Sequence, residues 1–279
     1  MNSTFRDVLA GKAEWSVDQG NAFALPQDMT ISCVDHVITD PPYTQRTSEN
    51  ARSAKGLYMG RDGNDGQRMI GFDGIDGDEA RMVHEFIRIA RRWVVLWCAL
   101  EQIGVYAQAA GDEYVRGTVW RRSNSAPQFT GDRPGQACEG VVICHAKGRR
   151  KKWNRGGDSL YWDGPTARSE QGIHRKHPTP KPLWLMEDAI AAFTDPGDIV
   201  CDPFTGSGTT GVAARRLGRR FIGFERELEY VEMARQRIGE TAGQPELFAL
   251  EAFRREASSR RKQLGLSLEN STDGKDDGT

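Results

Sequence analysis

The sequence predicts an α/β fold built on a doubly wound, mostly parallel sheet. Short runs of β-branched and apolar residues alternate with segments of helical periodicity along most of the chain. A glycine-rich turn joins one of the later strands to a helix, which is typical of open α/β sheets that bind a ligand at one edge. With 279 residues, the chain is long enough to bury a large core.

The predicted elements follow one another in a regular order. Apolar runs predict strands at 33–40, 93–98, 114–120, 140–145, 199–202 and 220–225. Periodicity predicts helices at 79–92, 101–110, 183–193, after the glycine-rich turn as far as Gly218, and around 230–238. Seven glycines within residues 44–78 predict a long mobile loop. Beyond residue 240 the apolar pattern thins, so we expect a basic helix and a disordered tail over 241–279.

Composition excludes several classes of protein. No stretch approaches the roughly 18 consecutive apolar residues that a membrane span needs. The first residues lack the basic flank and apolar run of a secretory signal, so we expect a cytoplasmic protein that binds no membrane. The five cysteines are scattered among apolar neighbours and match no zinc spacing, so we interpret them as reduced core thiols and expect no metal.

Asp40-Pro41-Pro42-Tyr43 follows the first predicted strand and is suited to activating an exocyclic base amine. Such an amine is a weak nucleophile, because its lone pair delocalises into the ring. The Asp40 carboxylate and the Pro41 carbonyl, each accepting one N–H, would favour a pyramidal nitrogen that attacks. Neither proline has an N–H to compete, and Tyr43 would stack on the base. A base used in this way must leave the helix.

The turn from Gly206 to Gly211 matches G-x-G-x-x-G between a strand and a helix, and Glu225 ends the next strand. Glycines allow close approach of the backbone to a ligand, and a carboxylate at that position accepts hydrogen bonds from a ribose diol. The turn alone would equally fit a nicotinamide dehydrogenase. Asp202, on the strand end before the turn, suits a cationic aminoacid ligand better than a pyrophosphate.

The formal net charge of −1 conceals a basic segment. Residues 147–181 hold ten Lys and Arg but only three Asp and Glu, with Trp153, Tyr161 and Trp162 interleaved. Such a segment suits a phosphate backbone and unstacked bases. The DNA-binding residues predicted on charge are Arg46, Lys147, Arg149, Arg150, Lys151, Lys152, Arg155, Arg175 and Lys176.

Through these motifs, the chain resembles the β group of DNA amino-methyltransferases, in which the order of the motifs is permuted. In that group the Asp-Pro-Pro-Tyr motif precedes the cofactor motif, as Asp40–Tyr43 precedes the DPFTGSG run of 202–208 here. The resemblance covers roughly residues 18–238 and implies a seven-stranded, Rossmann-like methyltransferase sheet with S-adenosylmethionine as the cofactor.

The resemblance also implies particular cofactor-binding residues. Glu225 would hold the ribose hydroxyls, and Asn21 with Ala22 would lie at the adenine ring, although the family often has Gly-Asp where this chain has Gly20-Asn21. The element His-Pro-Thr-Pro-Lys-Pro at 177–182 would lie near the aminoacid end. The implied cofactor set is Asn21, Ala22, Asp40, Thr179, Lys181, Asp202, Pro203, Phe204, Gly206, Ser207, Gly208, Thr209 and Glu225.

The function predicted is methyl transfer to N6 of adenine in double-stranded DNA. N4 of cytosine is the alternative, although relatives of that kind more often carry Ser-Pro-Pro. A non-catalytic DNA-binding regulator with a vestigial pocket, or a methyltransferase acting on RNA or on protein glutamine, also stays open. Residues 1–240 would form the catalytic domain, with DNA recognition at 44–78 and 146–176. The resemblance implies a bacterial or phage protein near the nucleoid and a homodimer, and a partner restriction nuclease is compatible but not indicated.

Overall fold

The fold is an α/β sandwich, seen in a computed structural model that describes residues 2–25, 28–43, 77–125, 127, 131–167 and 180–241. Its strands are β1 (Trp15–Gln19), β2 (His36–Thr39), β3 (Trp93–Cys98), β4 (Tyr114–Arg122), β5 (Cys138–His145), β6 (Trp162–Gly164), β7 (Ile199–Asp202) and β8 (Arg220–Glu225). Its α-helices are α1 (Phe5–Leu9), α2 (Glu79–Ile89), α3 (Ile103–Ala110), α4 (Leu183–Phe193), α5 (Thr209–Arg216) and α6 (Leu228–Glu240). Short 3₁₀ turns lie at Ala22–Ala24, Leu100–Gln102 and Gly111–Glu113.

The strands form one mixed sheet in the order β1-β8-β7-β2-β3-β5-β4-β6. Neighbours from β1 to β3 are parallel, whereas β5 runs antiparallel to both β3 and β4, and β6 pairs parallel with β4. The carboxyl ends of the parallel strands therefore lie along one edge, which we call the site edge. Because β5 is antiparallel, its first residues also lie at the site edge.

Helices cover both faces of the sheet, because alternate strand residues point in opposite directions. On one face Val37, Val94 and Leu96 pack with α1, α2 and α3; on the other Ile38 and Val95 pack with α4, α5 and α6. The central strands are buried on both faces, which explains their continuous apolar runs.

The predicted fold class is confirmed, and the structure has one strand more than the seven implied by the resemblance. The additional strand is β6, which the sequence analysis did not predict because its three residues carry no periodicity. Strand β1 and helix α1 were also not predicted, since both are only five residues long. Residues 44–76 of the loop expected at 44–78, and residues 242–279 of the helix and tail expected at 241–279, lie outside the described residues.

Within the described ranges, no helix is long and apolar enough to cross a membrane. The same residues contain no group of three or more His, Cys, Asp or Glu side chains placed to hold a metal ion. All five cysteines are free and four are buried, as expected of core thiols.

Candidate active site

The two sequence motifs meet at the site edge, although about 160 residues separate them in the chain. Strands β2 and β7 are parallel neighbours, so Asp40 and Asp202 come to adjacent strand ends. A hydrogen bond fixes the junction, because the Thr39 hydroxyl donates to Oδ1 of Asp202 at 2.5 Å. The turn after β7 and the Asp-Pro-Pro-Tyr motif are thus parts of one site.

Asp40 belongs to a compact polar cluster with Tyr43, Lys181 and Glu139. The Lys181 ammonium donates to Oδ2 of Asp40 at 2.6 Å and to the Tyr43 hydroxyl at 3.2 Å. Its Nζ also lies 3.1 Å from Oε2 of Glu139, and Tyr43 donates to that same oxygen at 2.7 Å. The Lys181 Nζ lies 5.3 Å from the centre of the Tyr43 ring. We call these four residues the polar cluster.

One oxygen of Asp40 is left without a partner in the described part of the chain. Its Oδ1 is buried and has no hydrogen-bond partner among the described residues, while Oδ2 is held by Lys181. A buried acceptor without a partner carries a free-energy cost that a ligand N–H would relieve. Burial raises the pKa of the Asp40 carboxyl against the opposing charge of Lys181, and Glu139 adds to the rise. The carboxylate is therefore a stronger proton acceptor than an exposed one.

The other members of the cluster keep their ordinary charge states. Burial acts to lower the pKa of the Lys181 ammonium, but Asp40 and Glu139 outweigh it and hold that pKa above its usual value. Burial raises the pKa of the Tyr43 phenol well above its usual range, so the phenol stays protonated. For Glu139, burial acts to raise the pKa, but Lys181, Tyr43 and Arg122 together hold it below its usual value.

The glycine-rich turn is built for close packing against α6. Gly208 has a φ of +85°, and a Cβ there would lie 2.9 Å from the Cα of Ala234. From α6, Arg237 donates to the Ser207 backbone carbonyl and to its hydroxyl, the latter at 3.0 Å. Thr209 begins α5 and lies 3.4 Å from the same guanidinium nitrogen. These contacts fix the backbone that faces the site edge.

The turn has an acid beside it, as the sequence predicted. Glu225 ends β8, and its Oε2 accepts the Gly206 N–H at 2.9 Å while its Oε1 accepts the Glu227 N–H at 2.9 Å. A carboxylate has about four acceptor positions, so each oxygen keeps capacity for a hydroxyl. The residues present therefore fit a ribose diol at this position.

Asn21 and Ala22 follow β1 and lie beside Glu225, since the Gly20 N–H donates to the Glu225 backbone carbonyl at 3.0 Å. Asn21 is exposed, and its side-chain oxygen accepts from the Phe23 N–H at 3.0 Å. The Phe23 ring lies edge-on to Phe204, with 5.7 Å between the ring centroids. An apolar wall suited to a flat ring is thus placed next to the acid.

Two residues assigned to the cofactor have other contacts in the structure. Lys181, expected near the aminoacid end, makes its polar contacts within the polar cluster. Asp202 is 2% exposed, and its Oδ1 accepts from Thr39 and from the Phe204 N–H at 3.0 Å. Burial raises the pKa of Asp202 to about 6. Asp202 is therefore a buried carboxylate that accepts hydrogen bonds from the start of the turn and from Thr39, rather than a carboxylate on the surface.

Residues 147–152 of the basic segment do not lie beside the polar cluster, and their role in DNA binding stays a prediction. β5 ends at His145 beside Trp93, the first residue of β3, so Lys147 and the residues after it lie at the edge opposite Asp40. Lys152 pairs with Asp195, which precedes β7, at 2.5 Å. The basic side chains placed at or near this opposite edge are Lys147, Arg149, Arg150, Lys151 and Lys152, all of them exposed.

Arg155 is turned towards helix α4, where it pairs with Asp188. Lys147 pairs with Asp112 and Glu113, each at 3.4 Å. Four further predicted residues, Arg46, Arg175, Lys176 and Thr179, lie outside the described residues.

No sequence motif indicated that Glu139 and Arg237 lie at the site. Glu139 precedes an apolar run and belongs to no motif, and only the antiparallel pairing of β5 brings it to the site edge. Arg237 lies on the helical face of α6 that contacts the turn, a placement that depends on tertiary packing. The four residues of the Asp-Pro-Pro-Tyr motif and the glycine-rich turn do come together, as the motifs indicated.

The fold and the site edge are those of an α/β enzyme of the methyltransferase class, with a glycine-rich turn and the acid Asp40 at neighbouring strand ends. The chain belongs to the N6/N4 DNA methylase family, since the profile of that family, described as DNA methylase, matches residues 34–236.

Individual proteins agree with this membership. The chain is 28% identical over 245 residues to the type II methyltransferase M2.DpnII of Streptococcus pneumoniae, covering 78% of this chain and 87% of that protein. It is similar to the crystal structure of the M1.HpyAVI–SAM complex, with a TM-score of 0.59, 26% identity, and coverage of 80% and 98%. It also shares its fold with the cytosine-N4-specific PvuII DNA methyltransferase, with a TM-score of 0.60, 18% identity, and coverage of 88% and 93%.

Proposed function

We propose that this DNA methyltransferase transfers a methyl group from S-adenosylmethionine to N6 of an adenine flipped out of double-stranded DNA. The observation that carries the proposal is the Oδ1 atom of Asp40, a buried acceptor without a partner. It stands at the strand end that Thr39 links to the glycine-rich turn. When bound, the cofactor supplies an electrophilic methyl group on a sulfonium.

The residues of the chain have separate tasks in this proposal. Asp40 Oδ1 accepts one N–H of the target amine, which favours the pyramidal nitrogen that attacks, and takes the proton released after transfer. Lys181 holds the other oxygen, so the carboxylate keeps one orientation. Tyr43 offers its ring to the flipped base. At the turn, Gly206 and Gly208 admit close approach of the cofactor, and Glu225 accepts its ribose hydroxyls.

Adenine is favoured over cytosine by the tetrapeptide. Asp40-Pro41-Pro42-Tyr43 carries the acid typical of N6-adenine enzymes, whereas N4-cytosine relatives more often have serine there. N4-cytosine transfer is the second candidate, because a pocket for either amine needs the same two acceptors. We further propose that the protein acts as a homodimer, on the resemblance to the β group.

The experiment is transfer of an isotope-labelled methyl group to duplex DNA, followed by digestion to nucleosides and mass spectrometry. We expect N6-methyladenine, and modification-aware sequencing of a host genome with and without this chain then gives the site. If the labelled product were N4-methylcytosine, the second candidate, N4-cytosine transfer, would be the function instead. DNA binding without any labelled nucleoside would instead indicate a non-catalytic regulator.

A further inference from the structure

Glu139 is a charged residue at the start of an otherwise apolar strand, and no sequence motif includes it. Its side chain is 14% exposed, so an unpaired carboxylate there would be costly. The pairing of Cys98 with Gly140 brings it to the end of β3, at the site edge beside Asp40. The burial of this acid is offset by specific partners.

Those partners are two proposed members of the methyl-transfer machinery and one cation. Oε2 of Glu139 accepts from the Tyr43 hydroxyl at 2.7 Å and lies 3.1 Å from Nζ of Lys181. Its Oε1 lies 3.5 Å from Nη1 of Arg122 on β4. One carboxylate therefore contacts both the base-stacking ring and the lysine that holds Asp40.

The hydrogen count of Lys181 shows why this matters. An ammonium has three hydrogens, and three acceptors surround it: Asp40 Oδ2 at 2.6 Å, Glu139 Oε2 at 3.1 Å and the Tyr43 hydroxyl at 3.2 Å. Every donor is used, so the ammonium cannot turn without losing a bond. Without the Glu139 carboxylate, Lys181 would keep only Asp40 and the neutral Tyr43 hydroxyl as acceptors.

The charges of the group also balance. Asp40 and Glu139 are opposed by Lys181 and Arg122, so two carboxylates face two cations. Loss of the Glu139 charge would leave an excess positive charge beside Asp40. Since Glu139 contributes to the raised pKa of Asp40, Asp40 would then become a weaker proton acceptor.

We propose that Glu139 is a positioning residue of the methyl-transfer site, which acts through Lys181 and Tyr43 to hold Asp40 and the flipped base in reacting geometry. The inference rests on the proposed function, because it assigns Asp40 and Tyr43 their roles in transfer. Glu139 itself touches neither the base nor the cofactor in this account.

The test is Glu139→Gln, which keeps the shape of the side chain and removes its charge. We expect kcat for DNA methylation to fall by about tenfold or more, because small displacements of reacting groups are costly. The acid limb of the pH profile of kcat should move to lower pH as the pKa of Asp40 falls. Among the described residues, the titratable groups that interact with the Asp40 charge are Lys181, Glu139, Tyr43, Cys98 at the end of β3, Tyr106 on α3 and Asp202 at the end of β7.

Two controls separate positioning from folding. Glu187→Gln removes a partly buried glutamate that pairs with Arg216 at 3.1 Å outside the cluster, and should move neither kcat nor the acid limb. Glu139→Asp keeps the charge, so its acid limb should stay near that of the wild type even if kcat falls. Where Glu139→Gln does not fold, Tyr43→Phe removes the Tyr43–Glu139 bond together with the longer Lys181–Tyr43 bond and should lower kcat. Because the Tyr43 hydroxyl acts to lower the pKa of Asp40, the acid limb of this variant should not move to lower pH.

The inference is overturned if Glu139→Gln retains the wild-type kcat and acid limb. It is also overturned if Glu139→Gln lowers kcat and thermal stability together while the acid limb stays in place. Where Tyr43→Phe has to be used because Glu139→Gln does not fold, an unchanged kcat in Tyr43→Phe overturns the inference as well. Failure of the proposed function is distinguishable, because the wild-type protein would then transfer no methyl group to DNA.

Discussion

Thr39 donates its hydroxyl to Oδ1 of Asp202 at 2.5 Å, inside the sheet and without access to water. Thr39 immediately precedes the acid of the proposed base site, and Asp202 immediately precedes the turn of the proposed cofactor site. A single buried hydrogen bond therefore helps to fix the distance between the proposed base site and the proposed cofactor site. Parallel pairing of β2 with β7 supplies the framework for that bond.

Asp202 gives a prediction about pH. Burial raises the pKa of Asp202 from the usual 3.8 to about 6, so the folded state binds its proton more tightly than the unfolded state. Ionisation of this group therefore destabilises the fold as pH rises from about 4 to about 6, by about 3 kcal/mol at most. Asp202→Asn keeps an oxygen that accepts from Thr39 and Phe204 but does not titrate. The unfolding free energy of the wild type should fall relative to that variant across this range.

Urea unfolding of both proteins without cofactor, at a series of pH values, measures the difference. Asp112→Asn is the control, because that carboxylate is 89% exposed. A constant difference between wild type and Asp202→Asn from pH 4 to 7 would show that Asp202 has an ordinary pKa in the folded protein.

The glycine-rich turn gives a matched pair of substitutions. Gly208 and Gly197 have φ values of +85° and +86°, so alanine is strained at both by about 1–2 kcal/mol. Only at Gly208 does the new Cβ meet backbone, at 2.9 Å from Ala234 Cα, whereas nothing lies within 4 Å at Gly197. Gly208→Ala should cost about 1–3 kcal/mol more than Gly197→Ala and weaken cofactor binding. Chemical unfolding and calorimetric titration with cofactor measure the two effects, and equal losses in the two variants would exclude the close approach to α6.

The basic residues 149–151 provide a test of where DNA lies. The six residues of β3 separate the two edges by about 20 Å, so we expect a duplex bound at the site edge not to contact residues 149–151. Alanine at Arg149, Arg150 and Lys151 should leave the salt dependence of DNA binding unchanged. Alanine at Arg121, which is 56% exposed at the site-edge end of β4, should reduce the log–log slope by about 1. Titrations of DNA binding at a series of salt concentrations measure these slopes. A reduced slope in the variants of residues 149–151 would show that this segment contacts DNA.

Motifs and long apolar runs made most of the fold predictable. The helix at 183–193 and the strands at 199–202 and 220–225 were predicted with their observed bounds, because proline, glycine and aspartate punctuate them sharply. β1 and β6 were not predicted, since each depends on a neighbouring strand more than on its own sequence.

The site was predictable only where residues form contiguous motifs. Asp40 and the glycine-rich turn were found in this way, but Glu139 was not, because the antiparallel direction of β5 is a property of the whole sheet. The same reversal places residues 147–152 away from the site edge, a position that charge composition alone does not report. The local sequence shows which reactive or charged side chains a segment carries, whereas the direction of each strand determines which of those side chains lie at the same edge of the sheet.

Asp40 has the central role in the proposed reaction, and Asp40→Asn tests that role directly. The amide has nearly the same shape but is a poor proton acceptor, so single-turnover methyl transfer to duplex DNA should slow by about 10²–10⁴-fold. Calorimetry should show cofactor affinity close to that of the wild type, because the glycine-rich turn and Glu225 are untouched. A wild-type transfer rate in Asp40→Asn would contradict the role of this carboxylate in activating the base.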